Sequence, residues 1–230
     1  MSKSLNSQQK IDGFKAISGD LSLFMVNLNE TSKKLKADAD VIAVPGISNV
    51  ATGILSVIKG ANDLCVETSE SMVQIVKTWG ERQGFGAQAQ AAFEDCQSTV
   101  AAVANNTFTV PEVDACDGLH ENVSDETIAA FQKDIQEVMD TRYDFIMKVA
   151  AARDEYATED TAEVYNNIGA GIERFTNGLV EVLESQKATL QKFNINLDES
   201  IEKAKTQAAG IVASGDAAKS KIGDVEGDLN

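Results

Sequence analysis

Histidine, proline and positive charge are all scarce in this chain, and each shortage closes off a class of protein. One histidine in 230 residues cannot supply a His-containing zinc cluster, nor the paired Glu-x-x-His ligands of ferritin-like di-iron bundles. Three cysteines do not make a disulfide framework. Two prolines, 6 % aromatics and plentiful alanine, glutamate, lysine and glutamine favour helix over sheet. The 20 Lys and Arg against 36 Asp and Glu leave a net charge of -16, without the basic footprint that a nucleic-acid backbone requires. The same excess opposes docking on anionic lipid at neutral pH, though not on neutral lipid or a receptor, and acidification weakens the objection. No P-loop, dinucleotide fingerprint or G-x-S-x-G elbow occurs. No catalytic residue, cofactor site or metal site is therefore assigned, and the chain reads as non-enzymatic. The polar stretch Met1 to Lys10 carries no secretory leader, so the expectation is a soluble protein, cytoplasmic or exported by a leaderless route.

What the chain does have is helical periodicity. Phe14, Leu21, Leu28, Leu35 and Ile42 recur every seventh residue, with Ile17, Phe24 and Thr31 as the second seam position. Gly13 and Gly19 weaken the first turns of this helix. Pro45-Gly46 then interrupts it, read as a tight reversal, the alternative being one kinked helix. A second seam follows through Ala51, Ile54, Ile58, Ala61, Cys65, Thr68, Met72, Ile75 and Trp79. A thin alanine-rich helix is expected over 87–104, and periodicity breaks over 105–123, where Thr107 to Val110 alternates before Pro111. Ser124 followed by Asp125 and Glu126 is a helix start. Its seam runs through Ile128, Phe131, Ile135, Val138, Arg142, Phe145, Val149, Ala152 and Tyr156. After a turn at Thr158 to Thr161, Tyr165, Ile168, Ile172, Phe175, Leu179, Val182, Gln186, Leu190 and Phe193 carry a last seam, whose phase continues to Ile211. Gly169, Ala170 and Gly171 are the cheapest place for it to bend. The expected fold is all-α, an elongated antiparallel bundle of four to five long helices in one domain over 1–230. The helices are placed at about 5–43, 47–79, 87–104, 125–157 and 161–212, with a flexible tail over 214–230.

Three features stand apart from ordinary bundle seams. Asp114, Cys116, Asp117, His120 and Glu121 cluster in the irregular stretch. Their spacing would suit a cation or a Cys-His nucleophile, but an acidic surface loop in an acidic protein explains them as well. Cys65 and Cys96 fall on facing seams and read as buried, inert thiols. Arg142 is the one charged residue on its seam, where an arginine either snorkels at a bundle end or pairs with a facing acid. Most informative is the run from Val41 to Ile58, which contains no charged residue. It is short and broken for a constitutive membrane span. It reads either as the most buried end of two helices or as an apolar hairpin tip that inserts after a rearrangement, with Val41, Ile42, Val44, Pro45, Ile47, Val50, Ile54, Leu55, Val57 and Ile58 as the insertion candidates.

Long helices with an uncharged apolar patch between two of them, few prolines and no catalytic inventory resemble the α-helical pore-forming toxins of the cytolysin A and haemolysin BL kind. The resemblance implies a membrane-active, non-enzymatic protein, a toxin or toxin component in cytolysis. It implies a lipid membrane and companion protein chains as partners, a homo-oligomer on the membrane, and no nucleic acid. The alternative is a soluble structural or adaptor helical bundle acting through protein-protein contacts.

Overall fold

A computed structural model describes residues 5–78, 87, 123–159 and 161–211, and these are all-α. Helix α1 spans Ser7–Ile42 and α2 spans Pro45–Thr78. Next come α3, Asp125–Tyr156, and α4, Ala162–Ser185. A short α5, Lys187–Lys192, precedes α6 over 198–211. The helix expected over 87–104 apart from its first residue, the stretch 105–123 apart from its last residue, and the tail over 214–230 lie outside the described residues.

Local chemistry fixes most of the ends. Asn6 and Gln9 form a reciprocal capping box, each side chain accepting from the other's backbone N–H at 2.9 Å. That box starts α1 at its first turn, so Gly13 and Gly19 do not divide the helix. Ala43 ends it in the left-handed region (φ 52°), donating its N–H back to the Ala39 carbonyl. Pro45 then opens α2, where its missing N–H is no loss. The interruption at Pro45-Gly46 is thus a reversal completed at Ala43-Val44. Ser124 caps α3 by accepting from Thr127 N–H at 3.2 Å. Between α3 and α4, buried Thr161 Oγ1 accepts from the Thr158 N–H at 2.9 Å and holds the turn.

The helices pack mainly as two pairs, α1 on α3 and α2 on α4, with α1–α2 and α3–α4 joining them. Partners along each pair run in opposite senses. On α1 and α3, Lys34 meets Glu137 at 3.0 Å while Asp20 meets Lys148 at 3.2 Å. On α2 and α4, Glu67 meets Arg174 at 2.6 Å, and Ser71 accepts from Asn167 at 3.0 Å. The rings of Phe24 and Phe145 stack at 4.5 Å, and Phe175 meets Phe24 edge-on at 5.7 Å, so α1, α3 and α4 share one aromatic centre. The heptad of α1, from Phe14 to Ile42, is buried throughout.

The α2–α4 pair is closer than its larger side chains alone would allow. A Cβ added to Gly53 would lie 2.7 Å from Val182, and one added to Gly178 would lie 3.2 Å from Val57. One turn pair further along, Gly171 receives Leu64, and near the start of α2 Gly46 receives Thr189 of α5. Each helix thus carries glycines seven residues apart, those of α4 receiving Leu64 and Val57 of α2, and those of α2 receiving Val182 of α4 and Thr189 of α5.

The expectation of one helix from 161 to 212 is corrected. Helix α4 runs unbroken through Gly169 and Gly171, and the chain turns back only after α5. Asn194 takes the left-handed conformation (φ 57°), and the Ile195 N–H reaches back to the Leu190 carbonyl at 3.0 Å. Asn196 then accepts from Asp198 N–H at 3.0 Å and starts α6. Glu184–Lys205 and Lys187–Asp198 pairs, both 2.6 Å, tie α6 to the helices before it. Ile201, Ala204, Ala208 and Ile211 are buried, so the phase persists although the direction reverses.

Candidate functional site

The ten apolar candidates for insertion divide between the end of α1 and the first half of α2. Val41 is 70 % exposed, whereas Ile42, Ile47, Val50, Ile54, Leu55 and Ile58 are buried in the shared core. Val44, Pro45 and Val57 are half-buried, and Val57 is one of the side chains seated over a glycine of α4. The missing charge from Val41 to Ile58 therefore has a packing cause: this part of α2 is enclosed by neighbouring helices on most of its circumference. The acidic cluster Asp114, Cys116, Asp117, His120 and Glu121, and Cys96, lie outside the described residues. Cys65 sits within α2, and its side chain is likewise outside the description. Among the described residues, no group of three or more His, Cys, Asp or Glu is placed to hold a metal ion.

Two polar clusters are buried where a bundle ordinarily keeps apolar side chains. The first lies between α1 and α3. Asp134 is 6 % exposed and its Oδ2 has no hydrogen-bond partner. Burial, with Asp38 and Glu137 nearby, pushes its carboxyl up to about 6, against weaker opposing pulls from Lys34 and Lys133. Asp38, whose charge acts on Asp134, is also raised, by its own burial. A step away, Glu137 accepts from both Thr31 and Lys34, and the lysine holds its carboxyl low.

The second cluster lies between α3 and α6 and centres on Arg142, which is 2 % exposed. It neither snorkels nor finds an acid, which corrects both expectations for it. Its Nη1 donates to Thr176 Oγ1 at 3.4 Å and its Nη2 to Gln207 Oε1, while Nε has no partner. Desolvation lowers its pKa to about 10, and Asp140 acts on it through charge without forming an ion pair. Beside it opens a cavity of about 290 Å³, lined among others by Asp140, Tyr143, Glu199, Ser200 and Lys203. The Lys203 ammonium stands 5.7 Å from the Tyr143 ring centroid. Ser200 donates to Gln136 at 2.8 Å, and Gln136 donates on to Asp140 at 2.9 Å. Sequence reasoning placed Arg142 on its seam but had no means to find this cavity, because α6 was read as a continuation of α4 and not as a helix folded back onto α3.

No protein-family model, curated protein or solved structure matches the chain. Among the described residues, no helix is long and apolar enough to cross a membrane. These findings, with the apolar run turned into the core, overturn the pore-forming reading. The resemblance to cytolysin A and haemolysin BL-like toxins is withdrawn, together with cytolysis, the lipid membrane, the companion chains and the membrane-bound homo-oligomer inferred from it.

Proposed function

We propose that the chain is a soluble structural or adaptor helical bundle, non-enzymatic, which acts through protein-protein contacts. In finer detail, we read it as an elongated antiparallel bundle of four to five long helices, with α6 laid against α3 and α4. One observation carries the reading. The seams of α1 to α4 are consumed in a shared core, yet Leu23 (47 % exposed) and Val26 (46 %) remain outside on α1, one helical turn apart. A neighbouring pair of large apolar side chains on an acidic surface suits the anchor of a partner whose rim is basic.

The test is a photo-cross-linking residue placed at Leu23 or Val26 in cells, with the same residue at exposed Lys133 as control. The expected result is one discrete adduct from the α1 positions that is absent from the control and is lost when Leu23→Asp accompanies the Val26 probe. Adducts of equal yield and identity from all three positions, or none from any, would remove the adaptor reading.

A further inference from the structure

In a chain with 36 acidic residues, a guanidinium left inside without a carboxylate needs a reason. Taking a charge out of water costs several kcal/mol unless a counter-charge or full hydrogen bonding offsets it. Arg142 has neither an ion pair nor full hydrogen bonding: Asp140 acts on it only from a distance, its hydrogen bonds go to a hydroxyl and an amide oxygen, and its Nε has no partner. Lys148, on the same helix, pairs with Asp20 at 3.2 Å. Lys203 of α6 lies over the face of Tyr143 instead. Arg142 and Lys203 line the same cavity.

From this juxtaposition we propose that the cavity between α3 and α6 binds a small organic acid through a single carboxylate, Arg142 receiving it from within and Lys203 from the rim. The half-buried Gln207 amide, which now occupies Nη2, is the neutral stand-in that the carboxylate displaces. A carboxylate matches the planar fork of a guanidinium in two parallel hydrogen bonds, a geometry that an ammonium alone does not offer. Asp140 and Glu199 on the lining select against further negative charge. They favour a monoanion or a zwitterion of amino-acid size, for which about 290 Å³ is ample. This site is independent of the α1 surface proposed for partners.

The experiment titrates acetate, glycine and inorganic phosphate separately into the ¹⁵N-labelled full chain at constant pH and ionic strength. It follows the Arg142 Nε–H and Gln207 side-chain amide signals by NMR. Acetate or glycine should give a saturable shift of both signals with a millimolar Kd. Lys203→Ala, on the rim, should weaken that binding about tenfold, and Lys205→Ala should leave it unchanged. Arg142→Met, checked first for retained helicity, should abolish the Gln207 response. A shift that never saturates, phosphate binding as tight as acetate, or saturable binding unaffected by Lys203→Ala would each overturn the proposal.

Discussion

Asp134 is a carboxylic acid held where its ionised form is unwelcome, and the consequence for stability has a definite sign. Its folded-state pKa of about 6 lies above the ordinary 3.8. The group therefore stabilises the fold fully below the unfolded value, where it is protonated in both states, and that contribution is lost as pH rises through about 6. Asp38 and Glu137 deepen the loss, whereas Lys34 and Lys133 reduce it. Asp134→Asn keeps the shape and removes the ionisation. It should raise stability at pH 7.5 by on the order of 2 kcal/mol, read as a Tm several degrees above wild type, and the gain should vanish near pH 4. A gain that persists unchanged at pH 4 would mean that packing, and not charge, sets the effect. Arg142 presents the complementary case: a buried cation whose removal leaves no acid behind. Arg142→Met should be close to neutral or stabilising in thermal melts, in contrast to the loss of several kcal/mol expected when one partner of a buried ion pair is removed.

At the scale of helices, glycines separate into those that others pack against and those that face open space. A Cβ at Gly171 would collide with Leu64, while around Gly60 nothing lies within 4 Å. Gly171→Ala should therefore destabilise by about 1–3 kcal/mol through overpacking, and Gly60→Ala should stabilise by roughly 0.4–1 kcal/mol through helix propensity and unfolded-state entropy. Chemical denaturation with unchanged m-values checks both, and equal effects at the two positions would mean that α2 and α4 are not in close approach. Asn194, in the left-handed region, should tolerate glycine and lose about 1 kcal/mol or more as alanine. These positions also show how far a seam can be read from sequence. The heptads of α1 and α3 specify an inward face, and Phe14 to Ile42 and Phe131 to Val149 occupy it. Periodicity carries no direction, however, so the seam from Tyr165 to Ile211 kept its phase across a reversal that it could not reveal. The local signal for that reversal was Asn194 and Asn196 followed by Asp198 and Glu199, a left-handed stop and a new acidic start. Arg142 was legible as a charge on a seam, but the cavity beside it depends on α6 lying against α3, which is a tertiary fact.

At the scale of the whole molecule, an uncharged run of sequence means different things inside a bundle and at its tip. If Val41 to Ile58 is core, tolerance to charge must follow burial residue by residue and must not follow position along the run. Val41 is 70 % exposed and Ile54 fully buried, although both belong to the same uncharged stretch. Val41→Lys should leave Tm within about a degree of wild type, as surface changes within roughly 0.5 kcal/mol do. Ile54→Lys places an ammonium inside the buried apolar core. It should remove more than roughly 4 kcal/mol, seen as lost cooperativity or loss of far-UV helicity. Neither wild type nor Val41→Lys should release dye from neutral or anionic vesicles at pH 7.4 or pH 5, since Ile42, Ile47, Val50, Ile54, Leu55 and Ile58, which would enter lipid, are already buried in the shared core. Two results would reverse this account: dye release by wild type that Val41→Lys abolishes without changing Tm, or an Ile54→Lys protein that melts like wild type. The first would show that the tip leaves its core on a membrane, and the second that the core is not where α1, α2 and α4 place it.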